Sequence, residues 1–156
     1  MFRDLTRKKQ ALSIEECKEI LKQEVRGVLA VNGDDGYPYA LPINFYYDEV
    51  NNKIYFHSGK FGHKIDAIKS SDKVSFCVYD KGYHKDGHWS LNIKSVIIFG
   101  RVRIISDWTE EFMVEFCKRF TSDMEYINNE IKNFKSNTAV LCLDIGHMTG
   151  KLVNEA

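Results

Sequence analysis

The chain has 156 residues, enough for one domain with a proper core, and 44% of them are hydrophobic. Lys and Arg number 22, and so do Asp and Glu; this balance argues against general nucleic-acid binding, which favours a basic face. No apolar run approaches a membrane span, the first ten residues are too polar for a signal peptide, and no Cys-x-x-Cys pair is present.

The expectation is therefore one cytoplasmic domain over 1–156, with Cys17, Cys77, Cys117 and Cys142 as reduced thiols. Residues 1–12 read as an irregular basic lead-in. Ser13 and Glu16 form a capping box, and Ile14, Cys17, Ile20 and Leu21 recur at helical spacing to about Glu24. A strand over 25–32 and the turn Gly33-Asp-Asp-Gly36 follow, then a long strand over 37–47. Pro42 cannot donate to a ladder, so a bulge or an edge belongs there, and a bulge would re-aim side chains near a site. Alternation puts Leu41, Ile43 and Phe45 on one face and Ala40, Asn44 and Tyr46 on the other.

After a turn at 48–52 comes the most informative stretch, 54–70. It reads as a strand ending near His57, a polar loop holding Ser58, Gly59, Lys60 and Gly62, and a helix opening at His63 and Lys64. Helix N-termini carry unpaired N–H groups and partial positive charge, and glycines let a loop aim its own N–H groups inward. Basic residues there make an anion site, and the anion expected is a phosphate. An ordinary connection with solvated lysines fits the pattern about as well. One asymmetry favours the ligand: the Lys64 charge in the first helical turn opposes the helix dipole unless an anion is bound.

Next come a strand over 74–79, a polar loop over 80–88, and one long strand or two broken strands over 89–105, with Gly100 able to bend it. Asp107 or Thr109 caps a helix whose Phe112, Phe116 and Phe120 form a core stripe; a second helical piece carries Ile127, Ile131 and Phe134, and a last strand covers 138–144. About six strands, hairpin-linked at first, predict a mainly β fold: a small, mostly antiparallel barrel with peripheral helices. Phosphate-loop, dinucleotide and serine-hydrolase motifs are absent. His84 and His88 are four apart, but Gly87 between them reads as loop, and no third metal ligand is evident.

The order and spacing of five segments carry a resemblance. They are Arg26-Gly-Val-Leu-Ala30, Tyr37-Pro-Tyr-Ala-Leu-Pro-Ile-Asn-Phe45, Ile54-Tyr-Phe-His-Ser-Gly-Lys-Phe-Gly-His-Lys64, Lys94-Ser-Val-Ile-Ile-Phe-Gly100 and His147-Met-Thr-Gly-Lys151. Over nearly its whole length the chain resembles the pyridoxamine 5′-phosphate oxidase-related, FMN-binding split-barrel proteins, in particular the branch of the 5-nitroimidazole resistance proteins. The resemblance implies a homodimer with two FMN molecules at the interface. Pro42, Ile43 and Asn44 would lie beside the isoalloxazine. His57, Ser58 and Gly59 would line the ribityl and phosphate end, while Lys60, His63 and Lys64 answer the phosphate charge. Lys94, Ser95 and Val96 would contribute, from the same subunit or its partner, with Trp89 a further candidate for closing the pocket.

It further implies a flavin-dependent oxidoreductase served by a nicotinamide donor and a small acceptor such as a nitro-aromatic, with no catalytic side chain of its own. The alternative is a non-catalytic flavin- or haem-binding protein on the same barrel. The Arg-x-Glu-x-Trp substrate segment of the true oxidases has no counterpart in the tail Gly150-Lys-Leu-Val-Asn-Glu-Ala156, so vitamin B6 oxidation is not implied. Each residue also has a plainer role: His57 as a barrel-rim histidine, His63 as a helix starter, Asn44 bonded to backbone, Ser95 at a bulge, and Trp89 in the core or an interface.

Overall fold

A computed structural model describes residues 1–154. Glu155 and Ala156, which end the expected domain and its tail, lie outside the described residues. Nine strands, β1 (Ala11–Leu12), β2 (Arg26–Asn32), β3 (Pro38–Asn44), β4 (Tyr46–Asp48), β5 (Lys53–Gly59), β6 (Lys73–Tyr79), β7 (Tyr83–His84), β8 (Leu91–Ile105) and β9 (Thr138–Asn154), are accompanied by four α-helices. These are α1 (Ile14–Gln23), α2 (His63–Ser70), α3 (Glu110–Cys117) and α4 (Met124–Phe134).

The sheet order is β3-β2-β6-β8-β9-β5-β4, and every pairing is antiparallel. The ends of this path, β3 and β4, are one run of chain broken only at Phe45. Its first half pairs with β2 and its second half with β5, so the sheet curls round into a split barrel. Alternating residues fill it: Leu29, Val31, Phe45, Phe56, Phe76, Val78, Val96 and Ile98 are buried in one cluster, into which Cys17, Ile20 and Leu21 of α1 pack. Ser13 caps α1 and Glu16 completes the capping box, while Ile14 faces solvent.

Pro42 produces an edge and no bulge. The β2–β3 register runs unbroken from Arg26↔Asn44 to Asn32↔Pro38. The Phe45 N–H donates to the Val25 carbonyl. Bonded positions alternate in an antiparallel ladder, so Pro42 sits where an N–H would face away from β2. The missing donor costs no ladder bond. The real bulge lies at Phe99/Gly100, opposite Ile145 and His147. A Cβ on Gly100 would run into the Asp144 carbonyl, which is why glycine stands at that bend.

β8 is one strand, and β9 continues ten residues past the expected end at Asp144 to Asn154. Period-2 alternation fades beyond Asp144 because that half is flanked by β1 and α1 and not by open solvent. A second, smaller core lies outside the barrel. There Met113 and Phe116 of α3 meet Ile127 and Ile131 of α4 over Val140, with Tyr46 and Tyr55 beneath. Among the described residues, no helix is long and apolar enough to cross a membrane.

Candidate functional site

The end of β5, the Asn44 edge and the α3–α4 pair enclose a cavity of about 570 Å³, the size of a small-molecule or cofactor site. Four of the expected residues line it: Asn44, His57, Ser58 and Gly59. They arrive from two strands: Asn44, His57 and Gly59 lie on the outward faces that meet where the β3–β4 run crosses from β2 to β5, and Ser58 has the inward parity of Ile54 and Phe56 at the cavity floor. The Arg26 Nε–H donates to Asn44 Oδ1 at 2.8 Å, which fixes the amide and leaves its NH2 group without a partner among the described residues. The His57 ring meets the Phe116 ring edge-on at 5.2 Å and 78°. Ser58 is only 7% exposed and its hydroxyl makes no hydrogen bond within the described residues, so a polar ligand atom would satisfy it.

Lys64 lies in the first turn of α2, half-buried, with no ion pair among the described residues. Burial draws its pKa below the ordinary lysine value. His57 is drawn below the ordinary histidine value, first by burial and then by the Lys64 charge, so the two stand close together. The imidazole is exposed at the strand end and opens into the cavity. Gly62 caps the helix at φ +110° and ψ 173°, a region open essentially to glycine alone. No side chain caps α2; the Ile65 N–H donates to the Gly62 carbonyl, and the N–H groups of His63 and Lys64 remain available for an anion. Gly59, by contrast, is the extended last residue of β5 and contributes no turn.

The other expected residues go elsewhere. His63 stacks on Tyr39 at 4.3 Å, with its Nε2 3.7 Å from Asp34, so it clamps α2 to the β2–β3 turn and does not line the cavity. Lys60 is half-buried in the loop without an ion pair among the described residues. Pro42 is exposed on the edge, while Ile43 points into the barrel core. Val96 is fully buried in that core, so only its backbone could meet a ligand. Trp89 is 80% exposed in the loop before β8. Lys94 pairs with Glu16 at 3.7 Å. Ser95 is opposite Lys151 on β9, whereas Ser58 is opposite Ala139. Along β9 these positions are twelve residues apart, yet across the curled sheet Ser95 pairs with Tyr79 of β6, and β6 neighbours β2, which carries the Arg26 partner of Asn44; Lys94, Ser95 and Val96 do not line the cavity.

The rest of the wall comes from residues that strand and loop motifs do not single out. Trp108 lines the cavity, held by its Nε1–H donating to the Thr138 carbonyl at 3.0 Å. Phe120 follows the end of α3 at Cys117 and borders the cavity instead of extending the buried stripe of Phe116. Glu130, Phe134 and Lys135 complete the mouth. The one available signal was the length of the α3–α4 insertion, which is more than a barrel of this size needs for closure. The four cysteines are unpaired; Cys117, in the cavity wall, has its thiol pKa raised by burial and by the Glu130 charge. Among the described residues, no group of His, Cys, Asp and Glu could hold a metal ion.

Comparison with known proteins agrees with the architecture. A sequence profile of the family described as pyridoxamine 5′-phosphate oxidase matches residues 13–152. No curated protein matches the chain by sequence. Among solved structures, a candidate 5-nitroimidazole antibiotic resistance protein from Bacteroides thetaiotaomicron aligns with TM-score 0.75 and 22% identity, over 92% of this chain and 87% of that one. A FAD-binding protein from Mesorhizobium loti aligns with TM-score 0.64 and 21% identity, over 92% and 97%. The FAD and heme binding protein from Mycobacterium smegmatis aligns with TM-score 0.73 and 21% identity, over 95% and 74%. At these identities the likeness is one of fold.

Proposed function

The chain belongs to the pyridoxamine 5′-phosphate oxidase family, and on that premise we propose that it is an FMN-dependent oxidoreductase, acting as a homodimer in the cytoplasm. The observation that carries this reading is Lys64, a half-buried cation at an uncapped helix start with no ion-pair partner among the described residues. A phosphate supplies the missing partner and accepts from the free N–H groups of the first turn. The unbonded Ser58 hydroxyl and the free Asn44 amide suit the polar chain and ring edge of such a cofactor. Flavin-binding proteins among the similar folds support the same reading.

FMN, when held, supplies the redox chemistry. The chain supplies binding and orientation. Lys64 holds the phosphate, and His57 beside it takes up a proton when the anion arrives. Ser58 donates its hydroxyl, and Asn44, oriented by Arg26, donates its amide. The Asn44 backbone N–H lies at the same parity as Pro42 and faces the free edge, where it can donate to developing negative charge. In the proposed dimer, Lys94, Ser95 and Val96, which do not line the cavity of their own chain, contribute from the second copy. The substrates proposed are a nicotinamide donor and a small acceptor such as a nitro-aromatic.

Absorbance of the purified protein tests the reading. Flavin bands after incubation with FMN, bleached by NADH or NADPH under anaerobic conditions, are the expected result. Bound flavin that neither nicotinamide reduces would indicate a non-catalytic carrier. No affinity for FMN would overturn the proposal and its site.

A further inference from the structure

The α3–α4 half of the cavity has a composition that phosphate anchoring does not account for. Four aromatic rings line it: Trp108, Phe120, Tyr126 and Phe134. Folding leaves Phe120 38%, Tyr126 56% and Phe134 53% exposed, so these rings border an open space and do not pack a core. Two formally charged side chains share the wall, Lys135 and Glu130. The Lys135 ammonium pairs with Glu110 at 2.7 Å and lies 5.9 Å from the centre of the Trp108 ring, so its charge is answered within the protein. Glu130 is half-buried and has no ion pair or hydrogen bond among the described residues. His57, with its lowered pKa, is neutral near pH 7. The chamber's own lining is thus apolar and aromatic with one uncompensated negative charge, Lys64 acting on His57 from outside that lining.

From this we infer that the chamber binds a small organic ammonium with an aromatic or otherwise apolar body, its cation on Glu130 and its body among the four rings. Aromatic faces attract cations through their quadrupoles, and a carboxylate in a partly desolvated wall adds a charge-assisted hydrogen bond. The same rings would stack on a flat neutral body but would not discriminate by charge. The charge preference therefore separates this inference from a generic greasy pocket. It stands on the chamber alone and does not depend on flavin.

The test uses the fluorescence of Trp108 in a full-length Trp89→Phe background, titrated with phenethylamine and, separately, with 3-phenylpropionate, which has a similar body and the opposite charge. Saturable quenching by the amine, little by the carboxylate, and about tenfold weaker amine binding in Glu130→Gln are expected. Equal response to both probes, no response to the amine, or amine binding unchanged in Glu130→Gln would overturn the inference. Circular dichroism of each variant confirms that the fold is intact. FMN retention, read by absorbance on the same samples, keeps the two ideas apart: a chain that binds the amine and not FMN loses the flavin proposal only.

Discussion

Lys64 and His57 come from different elements, the first turn of α2 and the end of β5, yet the charge of one depresses the pKa of the other. Two basic groups brought together without an anion are unfavourable for the free protein, and a phosphate between them reverses the sign. Binding the anion raises the His57 pKa, so the bound form holds more protons than the free form. By linkage, FMN affinity rises as pH falls from about 8 toward about 7, above most of the phosphate's own titration near about 6. Flavin titrations across that range check the slope, which His57→Gln should flatten. Lys64→Glu should weaken FMN binding by about tenfold or more at every pH.

The same depressed histidine affects stability without any ligand. Its folded pKa lies below its unfolded value, so above the ordinary histidine pKa both states are neutral and the group contributes nothing. As pH falls through that value, the unfolded chain takes up the proton first and the fold loses stability, until the folded pKa is passed. Urea denaturation at pH 7.5 and pH 5.5 should show a smaller difference in His57→Gln than in the natural chain.

Two glycines are expected to resist substitution for different reasons. Gly62→Ala places a side chain at φ +110° and should cost about 1–3 kcal/mol through backbone strain. It should also loosen FMN binding by shifting the start of α2. Gly100→Ala keeps an ordinary backbone but drives its Cβ into the Asp144 carbonyl, so the β8–β9 bulge must open. Denaturation midpoints should fall in both variants, with weakened flavin binding expected for Gly62→Ala alone.

Much of this was readable from residue order because barrel strands write their faces in period two. Leu41, Ile43 and Phe45 turn inward, and Asn44 and Tyr46 turn outward, as alternation requires. The capping boxes and turns are equally local: Ser13 with Glu16, and the turn in which Asp35 and Gly36 adopt positive φ. What escaped depends on distance along the fold. His63 is in the right turn of α2, but Tyr39 from the β2–β3 hairpin captures its ring. Lys94 is answered by Glu16 of α1, a pairing between distant elements that no local pattern announces. The α3–α4 wall follows a helical rule that marks Phe116 and Phe120 alike, although the helix ends between them at Cys117.

That helix end makes a quantitative contrast. Phe116 is fully buried among Tyr46, His57 and Phe112, whereas Phe120 is 38% exposed at the cavity. Phe116→Ala should cost about 3–5 kcal/mol, the usual result of emptying a packed aromatic site. Phe120→Ala should cost about 1 kcal/mol or less, because much of its ring already faces open space. Equilibrium denaturation of the two variants would show whether the stripe is one core or, as the structure has it, a core residue and a cavity wall.

The last prediction concerns the second copy. If each flavin site joins Lys64 of one chain to the Lys94 segment of the other, damage to the two can be placed in different subunits. Lys64→Glu and Lys94→Ala homodimers should each bind FMN weakly. In a mixed dimer, one site combines the intact Lys64 of the Lys94→Ala chain with the intact Lys94 of the Lys64→Glu chain. The other site carries both lesions. Unfolding and refolding the two variants together should therefore restore flavin binding toward one site per mixed dimer, about half of the mixed population's full capacity once re-formed homodimers are removed by differential tagging. A site built within a single chain gives no restoration, because every chain in the mixture then carries its own lesion. Because Lys94–Val96 do not line the cavity of their own chain, restoration is the expected outcome, and flavin absorbance per purified mixed dimer is the measurement.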